Sequence, residues 1–172
     1  SSRPYFDDPA PVQARVEITA EAWMAAGTHQ FRIITPNGSS TAGRIVVSPF
    51  PETQEREPND SFREAQQLAL PMTVHGLLPK PGDTDAYRFE AKAGQEIVCL
   101  INAGGLGSRL DPIMEVVDAN RKVIASNQQE RDRTSLGEKI PMDGTYAARV
   151  GDYQQGGTIR HFYRLTVGQL PL

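Results

Sequence analysis

Six oxygen-bearing side chains form the most informative feature of this sequence. Glu55, Glu57, Asn59 and Asp60 fall within Glu55-Arg56-Glu57-Pro58-Asn59-Asp60, and Asp83 and Asp85 follow in Pro81-Gly82-Asp83-Thr84-Asp85. Pro58 pushes Glu57 towards an extended conformation. Side chains at i, i+2 and i+4 of an extended chain share a face, so Glu55, Glu57 and Asn59 present oxygens to one side. Carboxylates held this close repel one another and hold protons more tightly. A hard cation relieves that repulsion. Calcium takes about six to eight oxygens from carboxylates, amide carbonyls, backbone and water. The ligand types here are all oxygen, which argues against zinc. Gly82 permits a tight turn, after which Asp83 and Asp85 can point the same way. If the fold brings that turn against residues 55–60, the ligand number suffices. The competing reading is that each cluster is a solvated linker or turn, and spacing alone leaves both open.

The elements that must position these groups read as strands. Residues 12–19 alternate Val12, Ala14, Val16 and Ile18 with polar neighbours, the period of a half-buried strand. Thr28–Thr35 and Arg44–Ser48 read as two more, with Pro36-Asn37-Gly38 as a turn. Pro49 and Pro51 end the third strand, so the chain is divided into residues 1–50 and 51–172. Ser61-Phe62-Arg63-Glu64 has capping-box spacing and predicts a short helix to about Leu68, limited by Pro71. Strands are expected at Thr73–Leu78, Asp85–Ala91, Gln95–Ala103, Pro112–Val117, Lys122–Ser126, Thr145–Val150 and Ile159–Val167. Gln95–Ala103 is apolar on both faces, the mark of a strand inside a sheet. This regular punctuation indicates an all-β, jelly-roll-like sandwich over residues 51–172.

Composition removes several function classes. The 18 basic and 21 acidic residues give a net charge of −3 with no long block of one sign, which argues against nucleic acid. No apolar run approaches the roughly 18 residues of a membrane span. The single cysteine, Cys99, sits in Ile97-Val98-Cys99-Leu100-Ile101 and reads as a buried small hydrophobe. It rules out cysteine-based zinc fingers. His29, His75 and His161 lack metal spacing, and no GxSxG elbow is present. Gly104-Gly105-Leu106-Gly107-Ser108 lacks the phosphate-loop pattern and reads as a turn. Asp111 and Asp143 are a conceivable carboxylate pair for glycoside hydrolysis, at a separation the sequence does not set. Trp23 is expected to pack between strands, with an exposed patch as the alternative.

From Glu55 to Val167 the chain resembles the bacterial pre-peptidase C-terminal domain family. The pieces stand in family order: Glu55-Arg56-Glu57-Pro58-Asn59-Asp60-Ser61 with Ala65, Val74-His75-Gly76, and Gly82-Asp83-Thr84-Asp85-Ala86-Tyr87-Arg88-Phe89 with Ala93-Gly94-Gln95. Leu110-Asp111-Pro112, Asp143-Gly144-Thr145-Tyr146 with Arg149-Val150, and Tyr163-Arg164-Leu165-Thr166-Val167 complete the set. The family is a jelly-roll-like β-sandwich appended to secreted proteases and other exported bacterial proteins. It is similar to the collagen-binding domains of clostridial collagenases, whose EPND-type segment ligates calcium. The resemblance therefore implies calcium at Glu55, Glu57, Asn59 and Asp60, and less firmly at Asp83 and Asp85. Asn127-Gln128-Gln129 stands where many relatives carry paired aspartates. Residues 12–48 resemble more loosely the end of an immunoglobulin-like or TIG-type domain, on Ala26-Gly27-Thr28-His29-Gln30-Phe31-Arg32 and Thr35-Pro36-Asn37-Gly38-Ser39. About seven strands make an immunoglobulin-like sandwich, so the first segment is a partial one.

The expectation is a non-catalytic binding or targeting module of a larger secreted, cell-surface or periplasmic protein. Its partner would be an extracellular polymer or protein, and calcium would stabilise the interdomain linker. A structural spacer and a small hydrolase are the alternatives. The first predicts no affinity for a polymer, the second turnover of substrate.

Overall fold

A computed structural model of the chain describes residues 17–19, 21, 23–36, 38–127 and 133–170. The chain divides into two compact units, residues 1–47 and 48–172.

In the first unit, β1 (Gly27–Phe31) pairs antiparallel with β4 (Gly43–Val47), and β2 (Ile34–Thr35) with β3 (Gly38–Ser39). The single strand expected over Thr28–Thr35 is broken at Arg32 and Ile33. There the Ile33 N–H donates to Ser40 Oγ at 3.0 Å, and the Ile33 carbonyl accepts from the Ser40 N–H at 2.8 Å. These bonds take the chain off the β1–β4 ladder and into a second hairpin. Residues 12–16 of the first expected strand lie outside the described residues, and residues 17–19 form no strand. Asn37 of the expected turn also lies outside them. Trp23 is 81% exposed rather than packed, beside a turn closed by the Met24 N–H on the Glu21 carbonyl.

The second unit is the expected all-β sandwich. Its strands are β5 (Glu52–Gln54), β6 (Gln66–Gln67), β7 (Met72–Leu77), β8 (Thr84–Ala91) and β9 (Glu96–Asn102), then β10 (Pro112–Asp118), β11 (Val123–Asn127), β12 (Arg133–Lys139), β13 (Gly144–Asp152) and β14 (Phe162–Gly168). One sheet runs β11-β10-β13-β8-β6 and the other β12-β9-β14-β7-β5. The core lies between them, because alternate residues of each strand are apolar and face inward. Tyr87, Phe89, Met114, Val116, Tyr146, Ala148 and Val150 come from the first sheet, and Val74, Cys99, Ile101, Leu165 and Val167 from the second. Phe89 and Tyr146 stack with ring centroids 6.2 Å apart. On β9, between β12 and β14, Val98 is as buried as its inward-facing neighbours, which explains the two-sided apolar pattern.

The helix expected after Ser61 is absent. The capping-box residues do meet: Ser61 Oγ lies 2.8 Å from Glu64 Oε2, and the Glu64 N–H turns back to the Ser61 carbonyl at 3.1 Å. The chain then leaves this single turn for β6, which pairs parallel with β8 through Gln66↔Tyr87 and Gln67↔Arg88. One turn is too short to sustain a helix against sheet pairing. The interdomain-linker expectation for Glu55–Asp60 is likewise corrected. β5 already pairs parallel with β7, from Glu52↔Thr73 to Gln54↔His75, so residues 55–60 connect two edge strands within the second unit. The Gln66 amide joins those edges across the sheets, accepting from the Arg56 N–H at 2.8 Å and donating to the Gln54 carbonyl at 3.1 Å.

Candidate metal centre

The loop from β5 to β6 is pinned at two points. The Glu55 N–H donates to the His75 carbonyl at 3.0 Å, extending the pairing with β7, and the Asn59 carbonyl accepts from the Ala86 N–H at 2.9 Å. The turn before β8 is set by Gly82, whose φ of 76° favours glycine, and by the Asp83 N–H on the Lys80 carbonyl at 3.2 Å. These backbone bonds bring the two acidic segments together, as the metal reading requires. They also sort the six side chains into two tiers.

The outer tier is Glu57, Asp60 and Asp83. One carboxylate oxygen of each lies within 4.8 Å of the others. Glu57 and Asp60 are exposed, while the Asp83 side chain is completely buried. Neither Asp83 oxygen has a hydrogen-bond partner. A buried carboxylate without hydrogen bonds is costly. The nearest compensation is the exposed Lys80 ammonium, 3.7 Å from Asp83 Oδ1 and 3.9 Å from Asp60 Oδ2. Both separations exceed a charge-assisted hydrogen bond of about 2.9 Å.

The inner tier is Glu55 and Asp85, close enough that each shifts the other's titration. Asp85 is buried, accepts from the Tyr163 hydroxyl, and faces Glu55 and Glu57. Burial raises its pKa, the Tyr163 bond opposes that, and Glu55 adds to it, so the carboxyl is pushed up to about 8. Burial likewise pushes Glu55 up, against the 2.9 Å bond from the Leu77 N–H. Two carboxyl groups in so little water cannot easily both ionise, so the Glu55–Asp85 pair holds a proton to higher pH than separate carboxyls would. Below them the Tyr87 and Tyr163 hydroxyls meet, and burial raises both phenol pKa values.

Asn59, fully buried, joins the tiers. With its NH2 group turned inward it donates to Glu57 Oε2 at 2.9 Å and Asp85 Oδ1 at 3.0 Å. Of the residues singled out from sequence, Glu57, Asp60 and Asp83 thus converge, Asn59 borders them, and Glu55 and Asp85 form a separate pair tied to tyrosines. Lys80, Tyr87 and Tyr163 were missed. Lys80 had no signal, but Tyr163 and Tyr87 each stand on the apolar face of a strand, where a phenol hydroxyl seeks a partner.

The remaining candidates separate. His29 Nε2 lies 2.8 Å from the Ala25 carbonyl, and His75 Nε2 lies 2.8 Å from Glu52. His161 Nδ1 is 3.0 Å from Thr158 Oγ1 in a local turn, where that hydroxyl also accepts the Arg160 N–H. Asp143 precedes the start of β13, whereas Asp111 precedes Pro112, which pairs with Asp152 at the far end of β13. At about 3.3 Å per residue, some ten residues of strand put the two roughly 30 Å apart, too far for a glycosidase pair. The glycine-rich segment forms a 3₁₀ turn, Gly104–Leu106, ended by Gly107 at φ 89°. Gln128 and Gln129 lie outside the described residues. Among the described residues, no helix is long and apolar enough to cross a membrane.

No protein-family profile matches the chain, and no curated protein does. Solved structures do. The chain is similar to the pre-peptidase C-terminal domain of collagenase from Bacillus anthracis, at 20% identity and a TM-score of 0.47, over 66% of this chain and 99% of that one. It is also similar to PliG of Aeromonas hydrophila, a periplasmic inhibitor of g-type lysozyme, at 17% identity and a TM-score of 0.44, over 69% and 96% of the two chains. The EclA C-terminal domain, a sugar-binding protein, matches at 16% identity and a TM-score of 0.36, over 58% and 79%.

Proposed function

We propose that residues 48–172 are a non-catalytic binding and targeting module of a larger exported protein, held in shape by a calcium ion at Glu57, Asp60 and Asp83. The observation that carries the calcium reading is Asp83: a fully buried carboxylate, both oxygens without hydrogen bonds, within 4.8 Å of two further acidic oxygens. The donors are all hard oxygens, and the exposed side of Glu57 and Asp60 leaves room for the waters calcium keeps. Bound there, the ion supplies the charge that Asp83 lacks. Glu57 and Asp60 hold it from the 55–60 loop and Asp83 from the turn before β8, so the two segments become cross-linked. Lys80 swings away into solvent. The binding role is supported by a sandwich whose His75 and His161 are engaged within the fold and whose Asp111 and Asp143 lie towards opposite ends of β13.

The test is the melting temperature of chelator-treated protein against added calcium. An ion bound to the folded state alone stabilises by about 2.7 kcal/mol at a hundred times Kd. Asp83→Asn should abolish the response. Equal melting temperatures in chelator and in millimolar calcium would sink the calcium reading.

A further inference from the structure

On the outward face of the first sheet, next to the acidic cluster, lies a groove of about 420 Å³. It exists because residue 151 is glycine. Gly151 pairs with Thr84 on one side and Ile113 on the other, and a Cβ built there meets nothing nearer than Thr84 Oγ1 at 3.8 Å. One wall is the Arg149–Glu115 ion pair, closed at 3.1 Å between paired positions of β13 and β10. The other is the loop after β13, and it is fixed. Buried Asp152 accepts from the Gln154 and Gly156 N–H groups at 3.0 and 2.9 Å, and from the Asp111 N–H at 2.9 Å. Gln155 is held at φ 54°, a strained value for a non-glycine residue and one that concentrates at functional sites. This loop carries Tyr153 on the rim with 60% of its surface exposed. Asp83, buried and without hydrogen bonds, closes one end.

An exposed phenol ring, a guanidinium–carboxylate pair and the Thr84 hydroxyl around a shallow floor complement a pyranose. The sugar's C–H face lies on the ring, and its vicinal hydroxyls meet N–H donors and carboxylate acceptors together. The volume suits a small ligand, within the roughly 300–1,000 Å³ of such sites. Charge selects further. Glu115 neutralises the Arg149 guanidinium, which leaves no unpaired cation among the groove's lining residues for a sulfate or uronate, so sulfated and uronic saccharides are disfavoured. We propose that this groove binds a neutral saccharide through Tyr153, Arg149 and Glu115, with Gly151 as the floor. The inference rests on the binding-module reading and supplies its ligand class.

The test is calorimetric titration of the full chain, in calcium, with cello-, chito-, manno- and galactotriose, and with heparin trisaccharide and a collagen-like peptide as counter-probes. At least one neutral trisaccharide should bind saturably, and its affinity should fall at least tenfold in Tyr153→Ala and in Gly151→Val. The valine fills the groove at a position with space and no positive φ, so that variant should melt as wild type. Binding of none of the four, equal binding by both variants, or competition by heparin or peptide for this groove would overturn the proposal. Calcium titrations on the same proteins separate the two readings. If calcium still raises the melting temperature while no saccharide binds, the saccharide proposal falls alone. If a saccharide binds and calcium does nothing, the calcium reading falls alone.

Discussion

The hydroxyls of Tyr87 and Tyr163 meet at 2.6 Å inside the sandwich, one from each sheet. Tyr163 also donates to Asp85, and its ring lies against Gly76 on the neighbouring strand, where a Cβ would stand 2.2 Å from the ring. A buried polar chain therefore ties both sheets to the acidic end of the molecule. Removing one member leaves others buried without partners. Tyr163→Phe should lower unfolding free energy by about 1–3 kcal/mol. Gly76→Ala should cost a similar ~1–3 kcal/mol by overpacking. Urea midpoints measure both, and a wild-type midpoint for Tyr163→Phe would refute the tie.

Lys80 and calcium compete for the same oxygens. Lys80→Ala removes the ammonium near Asp60 and Asp83, so calcium affinity should rise severalfold, within the ~1 kcal/mol of an exposed pair. If Lys80 alone closes the cluster, the variant instead loses stability in chelator, and calcium does not restore it. Paired calorimetric and thermal titrations distinguish these outcomes.

Glu52 sets an acid-side dependence. Burial raises its pKa, but a 2.8 Å bond with His75 and the Arg164 guanidinium outweigh this and hold it below the usual 4.5. A depressed carboxyl stabilises the fold above its unfolded value and loses that contribution as pH falls through the folded value. The gap between wild type and Glu52→Gln should thus be present at neutral pH and vanish well below pH 4.5. Because Glu52 is about a third exposed, solvent screening keeps the gap below ~1 kcal/mol. Denaturation of both proteins at the two pH values is the check, and a gap that widens in acid would contradict the assignment.

Cys99 is fully buried on β9, and burial pushes its thiol up to about 12. The thiolate is the reactive species. A chromogenic disulfide reagent should leave the native protein unlabelled and label one thiol per chain in denaturant. Rapid labelling of native protein would show that β9 opens.

Strand alternation made much of the sandwich legible. Tyr87, Phe89, Tyr146, Ala148, Val150, Leu165 and Val167 lie on inward faces because apolar side chains at period two must share one side of a strand. β12 escaped notice because Arg133–Lys139 holds a single large apolar residue, Leu136, and owes its conformation to pairing with β9. β6 escaped for the opposite reason. Its local signal, Ser61 with Glu64, points to a helix, and a parallel ladder with β8 overrides it.

By itself the sequence determined the residue types of the acidic cluster, the turn at Gly82 and the apolar faces of most strands. Each follows from neighbours close along the chain. Only the tertiary structure decided which oxygens converge. Asp83 and Asp85 are two residues apart, yet one reaches Glu57 and Asp60, and the other is drawn into the Tyr163 hydroxyl and Glu55. Spacing places both on one side of an extended chain. The partner each finds there comes from β14 and the 55–60 loop, distant in sequence and delivered by backbone pairing and by the burial of the core.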